Sequence, residues 1–258
     1  LEDTRAFYND FYGPQLGTLA LVGDFDEVEM RVVIEEAFGD WKSPHAATRV
    51  ATEFYDPPAE HLQIETPDKA NAIFIAQQTL ALRDDNPDYP ALLLGGYMIG
   101  GGVMNSRLAK RIRQEDGLSY GVGGNISGHP IDESGAFIAF AIYAPENAEK
   151  LEAAFREEIH KVLDEGFLAD ELEIAKQGYL QSRQLSRAQD PSLVSTLTQG
   201  LYFDRTLMWD AEVEERIQAL TAEEINSAVR RYLDLSKMTT VKAGDFEVAA
   251  NSSQALHH

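Results

Sequence analysis

Hydrophobic and polar positions recur with two different periods along the chain, and these periods predict both helices and strands. Apolar residues at helical spacing predict helices over Glu2–Tyr12 and Asp26–Phe38, which end at Gly13-Pro14 and Gly39. Five more helices are predicted in the second half: Asn147–Glu165, Ala169–Arg187, Pro191–Phe203, Ala211–Ala219 and Ala222–Leu233.

Apolar runs and alternating patterns predict strands in the rest of the chain. In one of them Ile73 and Ile75 alternate with Phe74 and Ala76, which places the two pairs on opposite faces. The predicted strands are Thr18–Val22, His61–Glu65, Ala72–Gln78, Ser119–Ser127, Gly135–Tyr143 and Thr239–Ala243, and helices over Tyr89–Ile99 and Asn105–Gln114 flank the glycines 100–102. Sequential strands followed by grouped helices indicate an α+β fold, with an antiparallel-rich mixed sheet and helices packed on one face.

The two ends of the chain resemble each other. Leu1–Phe25 aligns without a gap with Ala222–Phe246, and both run from an acidic helix start through an apolar strand to Gly-Asp-Phe. Coincidence between two ordinary helix–strand units is the alternative. A true repeat would mean one complete unit preceded by the end of another. The predicted domains are then 1–42, the end of a preceding domain; 43–60, a linker containing three prolines; 61–248, a complete second domain; and 249–258, a disordered tail or tag remnant.

Composition narrows the classes of function. The net charge of −21 argues against nucleic acid or an anionic membrane surface as the main partner. No apolar run reaches the ~18 residues that a membrane span requires. Cysteine is absent, which excludes disulfides, thiolate zinc sites and cysteine nucleophiles, and leaves both periplasm and cytoplasm open.

The common catalytic motifs are missing or lie in the wrong context. No histidine belongs to an HExxH or HxxEH motif, so the sequence predicts no metal site. Glycines 100–102 lack the lysine that a phosphate-binding loop requires, which leaves a close-packed helix–helix corner as their interpretation. The segment Gly117–Gly121 matches GxSxG around Ser119, but a helix precedes it and a strand follows, whereas a nucleophile elbow needs the opposite order.

The densest cationic stretch, Ser106–Val122, contains the candidate chemistry. A solvated helix face explains a charge such as Lys110. Arg113 lies near the end of a predicted helix, and Tyr120 follows a glycine turn at the start of a strand. A guanidinium and a phenol at one helix–strand corner can together bind a carbonyl or an oxyanion.

The same stretch carries a family resemblance. The run Gly100–Leu108, followed by Arg113, Gly117-Leu118, Tyr120 and Val122, resembles the second-domain signature of the M16 zinc metallopeptidases. This family includes insulin-degrading enzyme, pitrilysin and the mitochondrial processing peptidases. Leu1–Trp41 is similar to the end of an M16 first domain, so the resemblance covers about Leu1–Phe246 and implies tandem homologous α+β domains.

The resemblance also implies a division of labour. The family's HxxEH motif lies early in a catalytic first domain, so this chain is expected to be inactive alone and zinc to be held by a missing catalytic half or partner subunit. Arg113 and Tyr120 match the family's Arg–Tyr pair, which binds a substrate carbonyl and stabilises the tetrahedral intermediate across a clamshell. The resemblance assigns Gly100, Gly101, Gly102, Ser106 and Arg107 to a substrate loop.

The expected partners are a peptide substrate and a zinc-bearing M16 domain or subunit. The alternative is a purely structural M16-like subunit that acts as a dimerisation scaffold. Because the strand Thr18–Val22 lacks the rest of its sheet, we expect either disorder in the N-terminal segment or a homodimer formed through it. The bacterial character of the motif adds a periplasmic location to these expectations without excluding the cytoplasm.

Overall fold

The computed structural model describes residues 1–45 and 48–247. The contacts between these residues divide them into two compact units. Among the described residues, the larger unit contains Thr52–Gln181 and 213–247, and the smaller contains 1–45, 48–51 and Ser182–Glu212. The predicted tail, 249–258, lies outside the described residues.

A five-stranded mixed sheet forms the framework of the larger unit. Its strands are β1 (His61–Glu65), β2 (Ala72–Leu80), β3 (Ser119–Ser127), β4 (Gly135–Tyr143) and β5 (Thr239–Gly244). They lie in the order β1-β5-β2-β4-β3; β1 is parallel to β5, and every other neighbouring pair is antiparallel. The antiparallel-rich α+β fold predicted from the sequence is therefore confirmed.

The helices also follow the predicted pattern closely. They are α1 (Glu2–Phe11), α2 (Glu27–Phe38), α3 (Tyr89–Gly96), α4 (Ala148–Asp164), α5 (Ala169–Arg187), α6 (Asp190–Tyr202), α7 (Leu207–Ala219) and α8 (Ala222–Tyr232). Short polar side chains begin several of them; Thr221, for example, forms a capping box with Glu224 at the start of α8. No described helix combines the length and apolar character needed to cross a membrane.

The core lies on one face of the sheet. Phe74 and Ala76 of β2 and Phe137 of β4 are buried there, and the Phe74 ring lies 5.1 Å from that of Phe155 on α4. The opposite face stays open: Ile73 of β2 is 47% exposed and Phe140 of β4 is 44% exposed. Helices thus cover a single face, as the strand alternation predicts.

Glycines allow the polypeptide after α3 to lie directly against β3. A π-helical turn, Tyr97–Gly101, continues α3, and a Cβ atom added to Gly100 would lie 2.4 Å from the backbone nitrogen of Gly124. The glycine cluster is therefore a helix–strand contact, and the predicted helix–helix corner is wrong. The glycines in the sequence indicate that another element packs closely against this turn, but the sequence does not show whether that element is a helix or a strand.

The smaller unit has no fully buried side chain among its described residues. Helices α1 and α2 form as predicted, but the predicted strand Thr18–Val22 does not. A helix satisfies its backbone hydrogen bonds within itself, whereas a strand needs a neighbour, and no described residue pairs with this segment as a strand. Apolar side chains such as Phe7 and Phe11, in contact at 4.9 Å, remain half exposed.

Candidate functional site

Arg113 projects from the last part of a π-helical segment, Ala109–Glu115. Ala109 and Ile112 are buried and anchor this segment, which leaves Arg113 exposed. Within the part of the chain that the structure describes, Arg113 has no hydrogen-bond or ion-pair partner. Its guanidinium therefore keeps all of its donors for an external ligand.

The neighbouring arginines have structural partners. Arg111 is ion-paired with Asp116 and with Glu157 at 3.1 Å, and the hydrogen bond that Arg111 donates to Glu157 raises the pKa of Arg111. These pairs secure the segment that carries Arg113 and engage both terminal nitrogens of Arg111 within the protein.

A pinned connection joins Arg113 to Tyr120. The backbone N–H of Leu118 donates to the carbonyl of Ile112 at 2.9 Å, so the chain returns on itself between the two candidate residues. Gly117 makes the reversal with a φ of +63°, in the left-handed region that favours glycine. The helix–strand corner predicted from the sequence is therefore present.

Tyr120 lies at the start of β3 with its side chain 61% exposed. Its hydroxyl donates to Oδ1 of Asn71 at 2.6 Å. Tyr120 and Arg113 share no hydrogen bond. Both side chains are exposed, and the chain between them is held by the hydrogen bond from Leu118 to Ile112. An exposed guanidinium and an exposed phenol therefore lie at the two ends of one hydrogen-bonded connection.

The five positions assigned to a substrate loop are engaged within the protein. Gly100 packs on β3, a Cβ added to Gly101 would lie 3.4 Å from the carbonyl of Gly124, and one on Gly102 would lie 3.2 Å from the carbonyl of Tyr97. Ser106 is buried; its hydroxyl donates to the carbonyl of Val103 at 3.1 Å.

Arg107, the fifth of these positions, is held between two helices. It forms ion pairs with Glu158 of α4 at 3.3 Å and Glu171 of α5 at 2.8 Å. Its guanidinium also lies 5.8 Å from the ring centre of Phe167. These contacts give Arg107 a role in joining α4 and α5.

Tyr143 is a buried phenol at the end of β4, directly opposite Ser119 in the register. Its hydroxyl has no hydrogen-bond partner among the described residues. Burial, with a further contribution from the charge of Glu152, raises the pKa of Tyr143 to about 12.

Tyr143→Phe is expected to leave stability at pH 7 unchanged or raised by up to ~1 kcal/mol, because it removes an unpaired buried hydroxyl. The folded pKa lies above the ~10 of an unfolded tyrosine, so the neutral phenol's contribution is complete below pH ~10 and is lost as pH rises towards 12. Urea unfolding at pH 7 and pH 11 checks this, with the exposed Tyr55→Phe as control. A clear loss of stability at pH 7 would contradict the unpaired hydroxyl.

The sequence does not identify the roles of two residues beside the candidate pair, Asn71 and Ser119. Asn71 accepts a hydrogen bond from the Tyr120 hydroxyl, and the Ser119 hydroxyl, a nucleophile candidate in the sequence, instead lies 2.6 Å from the carbonyl oxygen of Ile142 on β4. Neither role has a signal in the sequence, because both depend on which strands are neighbours.

Over residues 1–45 and 48–247, no group of three or more histidine, cysteine, aspartate or glutamate side chains could hold a metal ion. The described residues therefore do not fit zinc.

Comparison with known proteins assigns the chain to a class, the non-catalytic domains of a metallopeptidase family. Residues 1–179 match the family model described as "Peptidase M16 inactive domain". The chain belongs to the M16 peptidase family, as the Gly100–Val122 motif predicts. No curated protein matches it significantly.

Solved structures share the fold at low sequence identity. An M16 inactive domain from Pseudomonas fluorescens has a TM-score of 0.77 and 24% identity, over 95% of this chain and 57% of that one. The first half of the periplasmic protease PqqL from Escherichia coli gives 0.70 and 18%, over 97% and 56%. A protease from Helicobacter pylori gives 0.72 and 14%, over 86% and 54%. The chain thus spans a little over half the length of these structures.

Proposed function

We propose that this chain is the substrate-binding, non-catalytic half of an M16 peptidase and that Arg113 and Tyr120 bind the peptide group that is cleaved. The observation that carries the proposal is the unpaired, exposed guanidinium of Arg113 on a connection that leads directly to Tyr120. Arg107 and Arg111 are ion-paired with carboxylates of the protein, which supports Arg113 as the arginine of the motif that binds a ligand.

The chemistry of the pair suits a carbonyl that gains negative charge. A guanidinium is positively charged and offers planar N–H donors, and a phenol supplies an O–H donor. Both would donate to the substrate carbonyl oxygen, the phenol by turning its O–H from Oδ1 of Asn71 to that oxygen, and both bonds would strengthen as the oxygen becomes an oxyanion in the tetrahedral intermediate. Hydrogen bonds that strengthen in this way lower the barrier rather than merely tightening the binding of substrate.

The proposal assigns the remaining chemistry to a catalytic M16 domain facing this one. Zinc bound there would supply an activated water for the attack on the peptide bond. The contribution of this chain is to bind and orient the peptide and to place two donors at the oxygen.

Residues 1–42, the N-terminal segment, support the presence of a second M16 domain beside this one. The repeat aligns α1 with α8, and α8 buries Ile225, Ala228 and Val229 in the core of the larger unit. None of the α1 side chains is buried. We infer that residues 1–42 close a preceding M16 domain as α8 and β5 close this one, with 43–60 as the linker to the domain 61–248.

Metal analysis and a peptidase assay test the proposal. The purified chain is expected to contain no zinc and to cleave no peptide alone, but to raise turnover of an internally quenched peptide when mixed with a zinc-bearing M16 subunit. The zinc-bearing subunit alone is the control. Stoichiometric zinc together with activity of the chain alone would overturn the proposal.

A structural subunit that serves as a dimerisation scaffold is the second candidate. The open sheet face, with Ile73 and Phe140 nearly half exposed, favours it because monomeric proteins rarely expose apolar patches of this kind. Light scattering measures the mass of the isolated chain, and unchanged turnover on mixing together with a dimer mass would support this candidate. A homodimer through the N-terminal segment would in addition be lost when residues 1–42 are deleted.

A further inference from the structure

The backbone that carries Tyr120 contains a β-bulge. Ser119 pairs with Tyr143 on β4, and the next pair is Gly121 with Ile142, so Tyr120 is an extra residue with no partner. Ser119 points into the core, where it is 5% exposed, and Tyr120 points outward. Bulges of this kind redirect one side chain at the edge of a sheet.

The hydroxyl of Ser119 fills the gap that the bulge leaves in the strand pairing. It lies 2.6 Å from the carbonyl oxygen of Ile142 and 3.0 Å from that of Gly121, and it accepts a hydrogen bond from the N–H of Gly121 at 3.1 Å. The Ser119 hydroxyl therefore takes up backbone polar groups of Gly121 and Ile142 beside the bulge. Alanine at this position would remove these hydrogen bonds from partly buried backbone groups.

Asn71 holds the other end of the same tyrosine. It directly precedes β2, whose first residue, Ala72, pairs with Tyr143, and its Oδ1 accepts the hydrogen bond from the Tyr120 hydroxyl at 2.6 Å. Two contacts thus hold Tyr120. The hydrogen bond between Ser119 and β4 holds its backbone, and the hydrogen bond to Asn71, next to β2, holds its phenol.

We propose that Ser119 and Asn71 are positioning residues that act through Tyr120. Ser119 sets the direction in which Tyr120 leaves the sheet, and Asn71 restricts the rotation of its ring so that the hydroxyl stays at one place. This inference rests on the proposed function of Tyr120 for its effect on turnover, but the positioning itself can be observed without a substrate.

Nuclear magnetic resonance of the ring of Tyr120 in the isolated full chain tests the positioning. The signal is identified as the one missing from Tyr120→Phe. Asn71→Ala and Ser119→Ala are expected to shift or broaden it, whereas Asn71→Asp, which keeps an accepting oxygen, retains the wild-type signal. The controls are Asn125→Ala and Ser127→Ala on the same strand, where Asn125 is exposed and the Ser127 hydroxyl makes only a 3.5 Å contact with the carbonyl of Ala136.

Turnover by the chain mixed with a zinc-bearing M16 subunit tests the consequence. Asn71→Ala is expected to lower kcat by about tenfold, with KM close to that of the wild type, because misplacement of a catalytic group acts on the transition state. In the Tyr120→Phe background the same change is expected to have no further effect. A purely structural role would instead lower activity equally in both backgrounds.

The outcomes separate the two proposals. An unchanged Tyr120 ring signal in Asn71→Ala, or equal losses of kcat in the two backgrounds, would overturn the positioning. A displaced ring signal in a protein whose turnover does not respond to Tyr120→Phe would uphold the positioning and refute the proposed function. Asn71 is exposed, so its variants remain informative if Ser119→Ala does not fold.

Discussion

Arg113→Ala and Tyr120→Phe are each expected to lower kcat by about a hundred- to a thousandfold when the chain acts with a zinc-bearing M16 subunit, since each removes one donor to the oxyanion. KM should change less, because the lost hydrogen bond is strongest in the transition state. Both side chains are exposed, so the free energy of unfolding should stay within about 0.5 kcal/mol of the wild type. Steady-state kinetics and urea unfolding measure the two quantities.

Matched controls are available for both variants. Lys110→Ala removes an exposed cation from the same helical segment, and Tyr55→Phe removes the hydroxyl of a tyrosine that is 70% exposed. Neither change should affect turnover. If Lys110→Ala lowered kcat as much as Arg113→Ala, the positive charge of the segment as a whole would be responsible, and the assignment to Arg113 would fail.

Gly100→Ala is expected to destabilise the chain by about 3 kcal/mol, at the upper end of the cost of overpacking a core. The added Cβ would lie 2.4 Å from the backbone nitrogen of Gly124 and 2.7 Å from its Cα, and neither atom can move without shifting β3. Urea unfolding of the chain gives the change in free energy.

Gly101→Ala is the control, because its Cβ would meet nothing closer than 3.4 Å. Its free energy of unfolding should stay within about 1 kcal/mol of the wild type. Equal destabilisation by both alanines would show that the approach to β3 is not what requires glycine at position 100. Lost peptide turnover in a fully stable Gly101→Ala would instead favour the substrate loop that the resemblance implies.

The sequence predicts most of the larger unit because its signals are local. Alternation in β2 and helical spacing in α4 and α5 reproduce the elements to within about three residues at each end. The failure at Thr18–Val22 has the opposite cause, since an apolar run becomes a strand only beside another strand.

At the candidate site, the sequence alone does not show which arginine is available to a ligand. Arg107, Arg111 and Arg113 share one short segment and look alike in the sequence. Apart from Asp116, the acidic partners that distinguish them, Glu157, Glu158 and Glu171, lie more than forty residues further along the chain. Ser119 and Asn71 are hidden for the same reason, because their partners lie on other strands.

The hydrogen bond between Leu118 and Ile112 limits how the sequence of this protein can vary in evolution. Because it closes the connection between Arg113 and Tyr120, the number of residues within the connection is fixed, while an exposed residue inside it such as Glu115 is free to vary. Point substitutions there should be tolerated. Insertion or deletion of a single residue should separate the pair, so length rather than composition is the property under constraint.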